Sequence, residues 1–205
     1  MKYHIDPATT ALLLLDLQND FMHPEGAYAR GGAGSPEILA LAERLAPVAD
    51  AMRRAGGLVV ATLFTLVPGR GGEPMIMDHL RQMRPFLRKG DFAPGSFGQD
   101  VVAPLQPVDI KVEKIAYSAF YMSRLEWVLK RAGIRHLICA GIVTNGGVAS
   151  TVRDAHVREF EITVLEDGCA AMDTTTHQVN IDALRSIADV TDCAAMTDRL
   201  RALLA

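Results

Sequence analysis

Cysteine is scarce in this 205-residue chain, and its three copies, Cys139, Cys169 and Cys193, are odd in number and far apart. That spacing fits free thiols in a reducing compartment better than a disulfide framework, and no pair of them makes a CxxC metal knuckle. Lysine and arginine form no cluster, and the formal net charge is only −3, so neither nucleic acid nor an anionic membrane surface is the expected partner. Long apolar runs are also missing. The first, within MKYHIDPATTALLLLDLQ, is short, ends at Asp16 and lacks a basic region and a small-residue cleavage site, so neither a secretory signal nor a membrane span is expected there and a cytoplasmic location is. What remains is a chain nearly half hydrophobic, enough for one large covered core and too short for two comfortable ones, with a small molecule or another protein as the expected partner.

Short β-branched apolar runs alternate with stretches of helical period. Strands are expected at Ala11 to Leu15, Leu58 to Phe64, Ile110 to Val112, His136 to Ala140, Ile162 to Glu166 and, at an edge, Ala188 to Thr191. Helices are expected from about Ser35 to Ala55, Leu125 to Ala132, Gly147 to Phe160, Thr174 to Ile187 and Thr197 to Leu204, with Ser35, Pro36 and Glu37 as a first turn and Gly56 with Gly57 as a stop. The Gly- and Pro-rich stretch from Pro68 to Pro107 reads as a long excursion with a short helix around Met75 to Arg84, of the kind that covers a site. The alternation predicts an α/β fold: a doubly wound, mostly parallel six-stranded sheet in three layers, with helices on both faces.

In such a sheet, polar groups at the ends of buried strands converge. Asp16 follows ALLLL, Lys114 follows IKVE, and a glycine elbow at Gly147 follows HLICAG. Each has a plain reading alone: a loop cap, a solvated cation, a tight turn. Three motifs make the combination specific. DLQNDF from Asp16 to Phe21, K-x-x-x-S-A-F from Lys114 to Phe120, and G-I-V-T-N-x-G-V-x-x-T-x-x-D-A from Gly141 to Ala155 resemble, in order and spacing, the signatures of the isochorismatase-like hydrolase superfamily, as does PGSFGQ at Pro94 to Gln99.

The resemblance implies a catalytic Asp16 and Lys114, with the family's nucleophilic cysteine replaced by Gly147. It implies a cis peptide between Ile142 and Val143 and an oxyanion hole from the N–H groups of Val143 and Gly147. In the usual triad the Asp takes the thiol proton, the Lys balances charge and the donor pair holds the oxyanion. Without sulfur the covalent step is lost, while an acid/base carboxylate, a cation and two donors remain. Isochorismatases proper resemble this set, with a glycine elbow and an Asp acting as general acid on a vinyl ether. That role needs a protonated Asp16, which Lys114 opposes and an apolar strand end favours.

Around these groups Asn19, Phe21, Tyr117, Phe120, Thr144, Asn145, Gly146 and Arg84 are candidate pocket residues. Short polar residues beside turns equally satisfy local backbone, and aromatics after a strand equally fill core. Arg84 and Arg88, in the covering segment, are candidates to anchor a substrate carboxylate bidentately, although an Arg on a loop is mostly a solvated side chain. Cys169 in EDGCAA is expected to be a buried thiol rather than a relocated nucleophile, and Cys139 a structural one. Some branches of the superfamily hold a divalent metal through an Asp and two His near the second strand. The corresponding TLFTLVPGRGG has none, and His23 and His79 are isolated, so no metal and no cofactor are expected. The expectation is a hydrolase of a small, anionic metabolite, as a homodimer or homotetramer. The alternatives are a catalytically silent binder of a metabolite or protein partner, and an amidase whose nucleophile is water or another residue.

Overall fold

The computed structural model describes residues 3–204. Six strands, β1 (Thr10–Leu15), β2 (Leu58–Phe64), β3 (Ile110–Lys114), β4 (His136–Ile142), β5 (Glu161–Ala170) and β6 (Asp189–Thr191), form one sheet in the order β3-β2-β1-β4-β5-β6. Every pairing is parallel. The expected α/β sheet is therefore present and parallel throughout.

β1 shows why both faces must be covered. All six of its residues are buried, and alternate side chains enter different cores. Leu12 and Leu14 pack with α4 (Leu41–Arg54) through Leu45, Val48 and Met52, and with α9 (Cys193–Ala202) through Met196 and Leu200. Ala11, Leu13 and Leu15 face α6 (Leu125–Arg131), α7 (Ala149–Val157) and α8 (Thr174–Leu184), whose Leu125, Leu129, Val152, Ile181 and Leu184 complete the second core.

Several boundaries differ from the sequence pattern, among them α7, which spans Ala149–Val157 rather than Gly147 to Phe160, and α9, which begins at Cys193 rather than Thr197. The helix expected from Ser35 to Ala55 is two, α3 (Pro36–Leu39) and α4, meeting at Ala40. The excursion helix shrinks to α5 (Asp78–Met83). Two single-turn helices, α1 (Asn19–Met22) and α2 (Ala27–Arg30), follow β1 where none was read. The strand expected to stop at Glu166 runs on to Ala170, because β5 bulges against β4: Cys139 pairs with Val164, but Gly141 pairs with Cys169.

The covering segment is held by aromatic rings. Phe21 lies 4.7 Å from Tyr28 and 4.6 Å from Phe92, and Tyr28 meets Phe86 edge-on at 5.1 Å. This third cluster joins α2 and the excursion to the loop after β1, above the C-terminal edge of the sheet.

Candidate functional site

The chain winds outward from β1 to β3, then returns to β4 on the other side of β1. Loops leaving β1 and β4 must diverge, and the crevice between them is where such sheets gather ligands. Asp16 is the first residue past β1, Lys114 the last of β3 and Ile142 the last of β4. Three sequence-distant positions are thus brought together by topology.

Asp16 has a φ of 59°, in the left-handed region that Asp tolerates better than most residues. Its N–H donates to the Thr62 carbonyl at 3.2 Å and its carbonyl accepts from the Gln18 N–H at 2.9 Å, which fixes the turn. The side chain is buried, 5% exposed. Its Oδ2 lies 2.6 Å from Lys114 Nζ, and its Oδ1 accepts from the Thr62 hydroxyl at 2.9 Å. Burial pushes the Asp16 carboxyl above the ordinary carboxylate range, against the lowering effect of Lys114, Thr62 and the Phe64 backbone.

Lys114, 2% exposed, also donates to the carbonyls of Ala116 at 2.9 Å and Tyr117 at 3.2 Å. Together with Asp16, these acceptors take up all three ammonium protons. The cation is fixed in place, as an ammonium this deeply buried must be.

The elbow after β4 begins with a cis peptide between Ile142 and Val143 and continues as a π-turn from Thr144 to Val148 that leads into α7. Gly147 faces the carboxylate and is crowded by backbone on the other side. A Cβ built there would stand 3.3 Å from Asp16 Oδ2 and 2.6 Å from the Ile142 carbonyl oxygen.

A cavity of about 360 Å³ opens above this arrangement. Asp16, Lys114, Ile142, Val143, Gly147, Phe21, Tyr117, Asn145 and Arg84 all border it. Four other expected pocket residues do not. Asn19 lies behind the cover, donating from Nδ2 to the Phe97 carbonyl at 2.8 Å. Phe120 is core, 5.9 Å from Phe160 and 4.8 Å from the Arg158 guanidinium, because the chain turns inward after Tyr117. Thr144 is fully buried and meets His177 Nδ1 at 2.8 Å, on the α8 side of the elbow. Gly146 lies beneath the Tyr117 ring, where a Cβ would be 2.9 Å from Cε1.

The sequence reading missed Tyr28, Phe64, Ile115 and Met172, which supply apolar wall, and His79, exposed at the edge. Tyr28 carried no signal because its single-turn helix has no periodicity to read. Arg88 is exposed and outside the cavity. All three thiols are buried. Burial pushes Cys169 up to about 12 and raises Cys139 and Cys193 as well. Among the described residues no three His, Cys, Asp or Glu side chains converge on a point that could hold a metal ion.

The Isochorismatase domain profile matches residues 10–195, which contain every strand of the sheet and every residue that lines the cavity. The chain belongs to the Isochorismatase domain family. With that family it is a hydrolase. Ureidoacrylate amidohydrolase RutB of Caulobacter vibrioides is 33% identical over 195 residues, spanning 90% of this chain and 84% of that one. The Caulobacter segnis counterpart is 32% identical over the same length, spanning 79% of its own chain. Among solved structures, a cysteine hydrolase from Pseudomonas syringae pv. phaseolicola superposes with a TM-score of 0.83 at 23% identity, covering 98% of this chain and 97% of the other. N-carbamoylsarcosine amidase from Thermoplasma acidophilum superposes at 0.70 with 25% identity, covering 90% and 96%. The isochorismatase-family fold therefore extends over the whole of the described sheet, and no helix among the described residues is long and apolar enough to cross a membrane.

Proposed function

We propose that this isochorismatase-family chain hydrolyses a small metabolite with Asp16 as the proton carrier, Lys114 as a fixed cation, and no cysteine nucleophile. Gly147 stands where the family motif places its thiol. The observation that carries this reading is the position of the Asp16 carboxyl, 3.3 Å from where a Gly147 Cβ would be and raised in pKa by burial. A proton donor therefore borders the space that a nucleophilic side chain would otherwise fill. The three cysteines are buried with raised pKa values, which favours neither capture of a substrate nor an acyl-enzyme elsewhere.

In this reading a substrate lies over Gly147 with its electron-rich atom toward Asp16. Asp16 donates its proton to that atom, water attacks the carbon made electrophilic, and the carboxylate takes a proton back from the attacking water. Atoms balance as the addition of one water across the broken bond. Where the substrate is an acyl compound, the N–H groups of Val143 and Gly147 receive the developing oxyanion. Lys114 holds the ionised stage of Asp16 without leaving its three acceptors. The similarity to ureidoacrylate amidohydrolases makes carbamoyl and amide bonds the first substrates to try, beside vinyl ethers and esters.

The deciding experiment is a turnover screen across those four bond types with wild type, Asp16→Asn and the double variant Asp16→Asn, Lys114→Met, the last removing the uncompensated buried charge. Wild-type turnover that resists iodoacetamide and disappears in both variants, each with native circular dichroism, is the expected result. Activity surviving in a folded Asp16→Asn protein, or loss on thiol alkylation, would overturn the assignment. Binding without turnover across the panel would replace it with a catalytically silent site.

A further inference from the structure

The proposed chemistry does not use one cation that borders the same cavity. Arg84 caps the C-terminus of α5 on the covering segment and is half-buried. Its Nε donates to the Tyr28 hydroxyl at 2.7 Å, and Tyr117 stands beside it. Among the described residues no carboxylate lies within 4.0 Å of its guanidinium. A planar group with five donors is thus oriented through Nε by a neutral hydroxyl, while its terminal nitrogens have no anion.

The other charges of the cavity are committed. Lys114 spends its three donors on Asp16, Ala116 and Tyr117. Asp16 is paired with it, and Asp173 accepts the Thr176 N–H at the start of α8. Much of the remaining wall is apolar, with Phe21, Phe64, Leu80, Ile115 and Met172 prominent. A ligand that satisfies all of this carries one anionic group and a compact apolar or planar body.

We propose that Arg84, held in orientation by Tyr28, is the carboxylate-recognition residue of this cavity, so that the ligands it selects are small monocarboxylates with an apolar or unsaturated body. This rests on the cavity being the substrate site, and it assigns Arg84 a binding role that the proton-transfer groups do not share. The guanidinium takes the carboxylate through its terminal nitrogens, which hold no anion and beside which the Tyr117 hydroxyl is a further hydrogen-bond partner, and the apolar wall takes the body. Lysine at this position would keep the charge and lose the planar donor set.

Equilibrium binding of matched probes tests this without turnover. Titration calorimetry of wild type with benzoate against benzamide, and with crotonate against crotonamide, is expected to favour the acid of each pair by at least tenfold. Arg84→Gln is expected to remove that preference while leaving amide binding within twofold. Arg84→Lys is expected to recover part of it, and Tyr28→Phe to weaken acids alone, by a smaller factor. Equal binding of acid and amide in both pairs, an absence of binding by all four probes, or a preference unchanged in Arg84→Gln would each overturn the assignment. A chain that prefers the acids yet hydrolyses nothing would leave the subsite standing and remove only the hydrolase reading.

Discussion

Within the run DLQNDF, Asp16 alone of the polar residues borders the cavity, and its neighbours fasten the surroundings. Gln18 donates to the carbonyls of Phe64 and Gln99 and accepts from the Phe64 N–H, which ties the loop after β1 to the end of β2 and to the cover. Asp20 accepts from the N–H groups of Ala27 and Phe92. The raised Asp16 pKa fixes the sign of a pH dependence. As a general acid Asp16 works protonated, so kcat/KM is expected to be highest below its pKa and to fall as pH rises through a value above the ordinary carboxylate range. Lys114 lowers that pKa, so Lys114→Met is expected to move the limb to higher pH in a full rate profile, and a limb that moved down would contradict the assigned coupling. Asp16, Lys114 and Gly147 were legible in sequence because each sits in a motif at a strand end. Asn19 and Phe120 were misplaced because a motif marks a neighbourhood, whereas which way a side chain points depends on a turn that only the fold displays.

At the scale of elements, strands were easier to find than their ends. A buried parallel strand declares itself by a continuous apolar run, as ALLLL does, but β5 continues through Glu166, Asp167 and Gly168, whose polarity reads as loop. The bulge against β4 accommodates them. On β4 the crowded point is Gly141, with a φ of 131° and a hypothetical Cβ only 2.1 Å from the Leu15 carbonyl oxygen. No side chain fits between β1 and β4 there, which is what lets Asp16 and the elbow approach each other. Gly141→Ala is expected to cost roughly 3 kcal/mol or more in urea unfolding, from strain and overpacking together. A loss under 1 kcal/mol would show that the two strands can separate. Leu14→Ala, a cavity in the α4 and α9 core, is expected to cost about 2–5 kcal/mol in the same assay without displacing the site.

For the whole molecule, a titratable group that bears on stability lies at the end of the sheet away from the cavity. His136 opens β4 at the edge away from the cavity, nearly fully buried, with Nε2 2.9 Å from the Thr163 hydroxyl and no partner on Nδ1. Burial pushes it down to about 4, helped by Arg199. The unfolded chain, with an ordinary imidazole, binds this proton first. The stability held above pH 6.5 is therefore lost as pH falls toward 4, by roughly 3 kcal/mol at most for this group. Urea midpoints measured between pH 7 and 4 should fall, and His136→Gln should flatten the fall. A slope unchanged in the variant would assign it to other groups. The fastening of the cover has its own outcome for traffic. With Gln18, Asp20 and the Phe21–Tyr28–Phe92 rings pinning it to the sheet, the cover is built to stay shut as a body. Met77, Ile115 and Met172, each about half exposed or more, line the cavity beside that cover. If these side chains are the doorway, a bulkier residue at Met172 is expected to slow association and dissociation of a cavity ligand together and to leave the equilibrium affinity nearly untouched.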